Sequence, residues 1–281
     1  MQIKNILIIG YGSIGKKHYK ILTERKDVNV FLLTSKKLPT NINHFNSLDL
    51  AIKFNPEIVV ICSPSSTHLY YVDLFIDKKI FVEKPFTDKL DNIEIEKYKK
   101  YKNIYIAYNL RFNKSLQYLR GIISNSLDKI TRIEINCQTY LPNWRVGHNY
   151  ENSASAKSNL GGGVLNELSH EINYAIWLFK HINIIFSKTS KISDLKVDVE
   201  DYAELIFESG NILGYMHLNF CSFPENRTLK IYYNNYCILW NVNTGEVTKY
   251  DSLGEKLLFV NNNDMVESYY NQWEYFFNSS D

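Results

Sequence analysis

Short runs of Ile, Val and Leu alternate with amphipathic stretches over the first 110 or so residues of the chain. Residues 4–9, 29–33, 58–61, 79–82 and 104–108 are apolar runs of strand length. Residues 14–25, 47–54, 67–77 and 91–100 lie between them with apolar positions at helical spacing. Strands that are apolar throughout, rather than alternating, are buried on both faces. Strands and helices in alternation with short links predict an α/β architecture with a doubly wound parallel sheet.

The pattern changes after residue 114. A helix is predicted over 115–123. Residues 132–140 then alternate, with Ile133, Ile135 and Cys137 on one face and Arg132, Glu134, Asn136 and Gln138 on the other. That is a strand with one buried face. The runs 202–207 and 212–220, joined through Ser209-Gly210, read as a hairpin, as do 228–233 and 236–242, joined through Asn234-Asn235. A single helix over 163–179 completes an α+β domain with a large, mostly antiparallel open sheet. The reading is thus two domains, 1–114 and 115–281. One face of such a sheet must be covered, and subunit pairing is one way to do it, so a homodimer or homotetramer through this sheet is expected. The polar stretch 140–159, with Trp144, Arg145 and Tyr150, is too long for an ordinary connection and reads as a lid over a polar substrate.

Composition narrows the classes. The chain has 281 residues, 45% of them hydrophobic, and a formal charge of +2. Such a balance gives no field for nucleic acid or an anionic membrane surface. No run approaches the roughly 18 apolar residues of a membrane helix. The first strand starts at once, which leaves no signal peptide, and a cytoplasmic location is expected. Cys62, Cys137, Cys221 and Cys237 show neither paired nor metal-ligand spacing, and no metal is expected.

Candidate chemistry gathers where the strands end. Gly10, Gly12 and Gly15 form a GxGxxG loop between the first strand and the first helix. Gly10 permits the turn, Gly12 lets the backbone approach a pyrophosphate, and Gly15 lets helix and strand pack closely. This Rossmann context makes Gly10, Gly12, Ser13, Ile14 and Gly15 the candidate dinucleotide loop. The second strand runs into Thr34-Ser35-Lys36-Lys37. An NAD site usually places a carboxylate there for the ribose 2′-hydroxyl. Hydroxyls and ammonium groups suit a 2′-phosphate instead, so NADP is favoured and NAD stays possible; the lysines also suit an ordinary solvated loop. Ser63, Glu83-Lys84 and Asn109 follow other strands to the same carboxyl edge, where ligands of such sheets bind. In the second half, Gly161-Gly162-Gly163 opens the helix that carries Asn166, Glu167 and His170. Spacings of three and four put these side chains on one helix face. A histidine beside a carboxylate is a tunable general base. A histidine that only hydrogen-bonds between domains would fit the same spacing.

The glycine loop, the Pro64-to-His68 turn, Glu83-Lys84-Pro85, the Tyr108-Asn109-Leu110-Arg111-Phe112 segment and the Gly161-to-Tyr174 block together resemble the Gfo/Idh/MocA oxidoreductases, the family of glucose-fructose oxidoreductase and inositol dehydrogenase. The resemblance covers nearly the whole chain, and is nearest to members from surface-sugar and nucleotide-sugar pathways. It implies an NAD(P)-dependent enzyme moving a hydride between nicotinamide and a carbinol or ketone carbon of a sugar. Carried over, Lys84 hydrogen-bonds the reacting oxygen, and His170, with Glu167, handles the proton. Ser63, Pro64, His68, Glu83, Lys84 and Asn109 join the cofactor site, and Arg111, Trp144, Arg145 and Asn166 line the substrate site. A cis peptide before Pro85 is also implied. Two departures stand out. Position 166 is Asn where the family often has Asp, with Glu167 one residue later. The family also usually continues past an aromatic stretch like Tyr269 to Phe277 with another helix. A non-catalytic, possibly truncated, dinucleotide-binding protein of the same fold is therefore the alternative. A third is a reductase of the biliverdin or imine type, which needs no base at His170.

Overall fold

The computed structural model describes residues 3–89, 95–145 and 147–279. The chain divides into two compact units. One comprises Met1–Ala107, Asn159–Gly161 and Phe276–Asp281, the other Tyr108–Ser158 and Gly162–Tyr275.

The first unit holds a six-stranded sheet among its described residues. Its strands are β1 (Lys4–Ile9), β2 (Val28–Leu33), β3 (His44–Phe45), β4 (Ile58–Ile61), β5 (Lys79–Glu83) and β6 (Ile104–Ala107). They lie in the order β3-β2-β1-β4-β5-β6, and every pair is parallel. The reversal of direction between β1 and β4 is the switch point of a doubly wound sheet. Helices α1 (Ser13–Thr23), α2 (Leu48–Lys53), α3 (His68–Leu74) and α4 (Ile95–Lys99) connect the strands. Central β1 and β4 are buried on both faces, as continuous apolar runs require: Ile6, Leu7, Ile8, Val59, Val60 and Ile61 are fully buried. Phe276 belongs to the same interior, edge-on to Phe81 and close to Tyr105. The helix expected over 91–100 is seen as Ile95–Lys99; residues 91–94 lie outside the described residues.

The second unit holds an eight-stranded sheet among its described residues. Helix α5 (Lys114–Ser124) precedes β7 (Ile130–Tyr140); then come α6 (Val164–Glu167), α7 (Ser169–Phe179), β8 (Asn183–Ser190), β9 (Tyr202–Ser209), β10 (Ile212–Asn219), β11 (Cys221–Tyr233), β12 (Cys237–Asn241), β13 (Glu246–Asp251), β14 (Gly254–Val260) and α8 (Asp264–Asn278). Strand order is β14-β13-β12-β11-β7-β10-β9-β8, antiparallel except between β7 and β10. Ile133, Ile135 and Cys137 of β7 face the core with Met216 and Leu218 of β10 and Leu229 and Ile231 of β11.

Two features depart from the pattern reading. The helix expected over 163–179 is two helices, broken at Leu168 (φ −96°, ψ 25°). Strands β3, β8, β13 and β14 were not anticipated. The stretch after β7, read from sequence as a lid, is held by hydrogen bonds. It forms short 3-10 turns at Leu141–Asn143, Tyr150–Asn152 and Ala154–Ala156. Ser158 donates its backbone N–H to Asp198 at 2.6 Å, Asp198 N–H donates to the Ala156 carbonyl, and Lys196 N–H donates to the Tyr150 hydroxyl.

Candidate functional site

The three loop glycines of the first unit do different work. At Gly10 (φ +96°) a Cβ would meet the Cys62 carbonyl oxygen at 2.8 Å, and at Gly15 it would meet the Gly10 carbonyl oxygen at 2.1 Å. Backbone packing itself therefore demands these two glycines. At Gly12 nothing lies within 4 Å. The fold does not need Gly12 to be small, whereas a ligand held against the backbone does. Helix α1 starts at Ser13 with no acidic residue in its first turn and no side chain capping it, so its N-terminus suits an anion. These features fit a dinucleotide pyrophosphate held by Gly10, Gly12, Ser13, Ile14 and Gly15.

The end of β2 turns toward the same loop. Gly10 N–H donates to the Leu33 carbonyl at 3.0 Å. Lys36 Nζ donates to the Tyr11 carbonyl at 3.1 Å, and its N–H donates to Thr34 Oγ1 at 3.2 Å. Lys16 adds a second ammonium 5.7 Å from the Tyr11 ring centre. The structure thus brings Thr34 and Lys36 beside the glycine loop.

At the ends of β4 and β5 the dominant group is the Glu83 carboxylate. Glu83 is buried and pairs with the fully buried His18 of α1, Nε2 to Oε1 at 2.7 Å. Burial raises the Cys62 thiol, with Glu83 adding to the effect, and lowers Lys17, with Glu83 opposing it. His68, also buried, has Nδ1 2.8 Å from the Pro85 carbonyl oxygen and Nε2 2.9 Å from that of Ser63. Burial lowers the His68 ring below its ordinary value, while the two carbonyls and Glu83 push it up. The Thr67 hydroxyl donates to Ser63 Oγ at 2.7 Å. The Lys84–Pro85 bond is cis, and Lys84 itself is half-buried.

In the second unit the Asn109 amide nitrogen donates to Ser268 Oγ at 2.7 Å inside the protein. Arg111 Nε donates to Asn173 Oδ1 at 2.8 Å, and Arg111 and Arg120 both approach the Trp177 ring. Asn166 Nδ2 donates to the Gly162 carbonyl at 3.3 Å. The His170 ring stands edge-on to Tyr108, 5.6 Å between centres. Glu167 closes α6 and His170 lies in the first turn of α7, so they lie on either side of the break and not on one continuous helix face. Gly163 (φ +111°) has the Glu200 carboxylate where a Cβ would be, 2.5 Å away, and Leu165 N–H donates to that carboxylate at 3.3 Å. Trp144 packs edge-on to Phe220, and Arg145 is exposed. Sequence reasoning missed His18 and Glu200. His18 had a signal, one helical turn past Gly15 on the side of α1 that carries Ile21 and Leu22. Glu200 had none, because its link to Gly163 spans a loop.

Sequence comparison now identifies the class. Residues 4–105 match a family model described as an oxidoreductase family with an NAD-binding Rossmann fold, and residues 117–235 match the GFO/IDH/MocA C-terminal domain. The chain belongs to the Gfo/Idh/MocA oxidoreductase family. Comparison with curated proteins returns no match. Among solved structures, the WlbA dehydrogenase of Bordetella pertussis, in complex with NADH and UDP-GlcNAcA, is similar at 16% identity and a TM-score of 0.72, covering 98% of this chain and 84% of that one. GenD2 from gentamicin A biosynthesis, in complex with NAD, is similar at 16% identity and 0.77, covering 98% and 87%. An inositol dehydrogenase homolog from Azotobacter vinelandii, complexed with NAD+, is similar at 12% identity and 0.79, covering 98% and 85%. These identities establish a shared fold.

Proposed function

We propose that the protein is an NADP-linked dehydrogenase or ketoreductase acting on a carbinol or ketone carbon of a sugar or nucleotide-sugar. The observation that carries this reading lies in the first unit. A glycine loop open at Gly12 and the lysine Lys84 follow β1 and β5 of one parallel sheet, with only β4 between them. Two strand spacings are about 10 Å, so phosphate-binding backbone and a catalytic cation share one edge. The WlbA and GenD2 structures, with bound NADH or NAD, support the dinucleotide. WlbA, with bound UDP-GlcNAcA, supports the substrate class.

When bound, the nicotinamide supplies the hydride acceptor or donor. Lys84 hydrogen-bonds the reacting oxygen and stabilises charge developing there. His170 accepts the hydroxyl proton in oxidation and returns it in reduction, with Glu167 as its carboxylate partner. Arg111, Trp144, Arg145 and Asn166 contact the substrate. Ser63, Pro64, His68, Glu83 and Asn109 complete the cofactor end. Thr34, Ser35 and Lys36 take the 2′-phosphate, because Lys36 already rests on the glycine loop and no carboxylate follows β2. The working form is a cytoplasmic homodimer or homotetramer built through the open face of the large sheet.

Calorimetric titration with NADPH and with NADH tests the reading. NADPH is expected to bind at least about tenfold more tightly, a difference of about 1.4 kcal/mol. A screen of sugars and nucleotide-sugars then follows, in which Lys84→Ala and His170→Ala each lose at least about a hundredfold in turnover. A folded protein that binds neither dinucleotide overturns the reading. So does one that binds but turns over equally well after both substitutions.

A further inference from the structure

Two buried imidazoles bracket Lys84 along the chain. His18, fully buried on α1, bonds the side chain of Glu83 at 2.7 Å, one residue before Lys84. His68, 1% exposed at the start of α3, reaches the carbonyl oxygen of Pro85 at 2.8 Å, one residue after it. The other His68 nitrogen reaches the Ser63 carbonyl at the end of β4. Neither ring is placed by chance packing. A buried carboxylate without a partner, or a buried ring nitrogen facing nothing, would carry a desolvation penalty. Each histidine also ties Lys84 to a segment that the dinucleotide reading already uses: His18 to the glycine-loop helix, His68 to the Ser63 turn. A lysine has four rotatable bonds and no preferred geometry of its own. Fixing its backbone narrows the positions its ammonium can reach.

We infer that His18 and His68 are positioning residues for Lys84, forming a two-sided histidine clamp on the Glu83-Lys84-Pro85 segment. This rests on the functional reading above for its purpose, but not for its test. Charged and titratable neighbours of the clamp are Lys17 on α1, Cys62 just after β4, Glu83 at the end of β5 and Lys84 just after it.

Amide side chains separate positioning from bulk packing, since Asn places a nitrogen near the Nδ1 site and Gln near the Nε2 site. For His68, Asn keeps the donor toward Pro85, whereas Gln keeps only the one toward Ser63. For His18, Gln keeps the donor toward Glu83 and Asn does not reach. The readout is the pH profile of Lys84 acylation by an amine-directed reagent, followed by mass spectrometry of the Lys84 peptide, in the protein without cofactor. His68→Asn and His18→Gln are expected to keep the wild-type profile. His68→Gln and His18→Asn are expected to change the acylation rate several-fold at fixed pH. Equal behaviour of the Asn and Gln variants at both positions overturns the clamp. Failure of the wild type to bind NADPH overturns the functional reading instead, and leaves the acylation result to decide the clamp alone.

Discussion

At the residue scale, the glycine motif separates into what the fold requires and what a ligand requires. Gly15→Ala drives a methyl to 2.1 Å from the Gly10 carbonyl oxygen, and is expected to cost about 3 kcal/mol or more in denaturant unfolding. Gly12→Ala meets nothing within 4 Å; it is expected to leave stability within about 0.5 kcal/mol and to weaken NADPH binding about tenfold in a calorimetric titration. If Gly12→Ala bound NADPH as well as wild type, the pyrophosphate would not rest on that loop. Lys36→Ala tests the other end of the same ligand. It is expected to weaken NADPH about tenfold while leaving NADH unchanged, because only the 2′-phosphate needs the ammonium. The glycine loop, the lysine after β5 and the hydroxyl-rich end of β2 were legible from sequence because each follows a run of buried strand residues. His18 and His68 were less so. Their partners, Glu83 and the carbonyls of Ser63 and Pro85, come from other strand ends, and sequence spacing does not carry that proximity.

At the element scale, α7 is fixed by an ion pair rather than by apolar contact alone. Glu171, fully buried and next to His170, accepts from Arg227 Nε of β11 at 2.7 Å. Burial, with Glu171 adding to it, pushes the Cys137 thiol and the Tyr174 phenol up, so both stay neutral beside the pair. Removing one partner leaves the other charge buried. Glu171→Leu and Arg227→Met are each expected to cost about 3–5 kcal/mol in chemical denaturation, and the double variant Glu171→Leu/Arg227→Met less than the sum. Strict additivity would show that the two side chains do not act as a pair. The break between α6 and α7 escaped the periodicity because Val164, Leu168, Ile172 and Ala175 keep helical spacing across it. Strand β8 escaped for the opposite reason. Ile184, Ile185 and Phe186 are all about half exposed, and the register slips between Ile184 and Phe186. No buried face exists there to produce an alternating pattern.

At the scale of the whole molecule, the titrating groups that depart from their ordinary values on the acid side all push stability the same way. Burial lowers His68 and His217, the latter against the opposing Glu204. A group whose folded value is depressed stabilises above its unfolded value and loses that contribution as the pH falls through its folded value. For the two histidines the loss begins near pH 6.5. Hydrogen bonds lower Asp27 (from Arg25), Glu204 (from Tyr202 and Tyr215), Asp251 (from Lys249) and Glu267 (from Lys114). Their contributions stay until the pH passes below about 4.5. These four are largely solvent-screened, so the histidine step dominates the upper range. The melting temperature is therefore expected to fall in two stages, first between about pH 6.5 and 5 and again below about 4.5. His217→Gln should flatten the first stage, since Gln carries no proton to gain. Thermal unfolding followed by circular dichroism across pH 4–8 checks this. A melting temperature that rises on acidification from pH 7 to 5 would reverse the sign argued for both histidines. A first stage that stays unchanged in the variant would place it on His68, at the start of α3 against the Pro85 carbonyl.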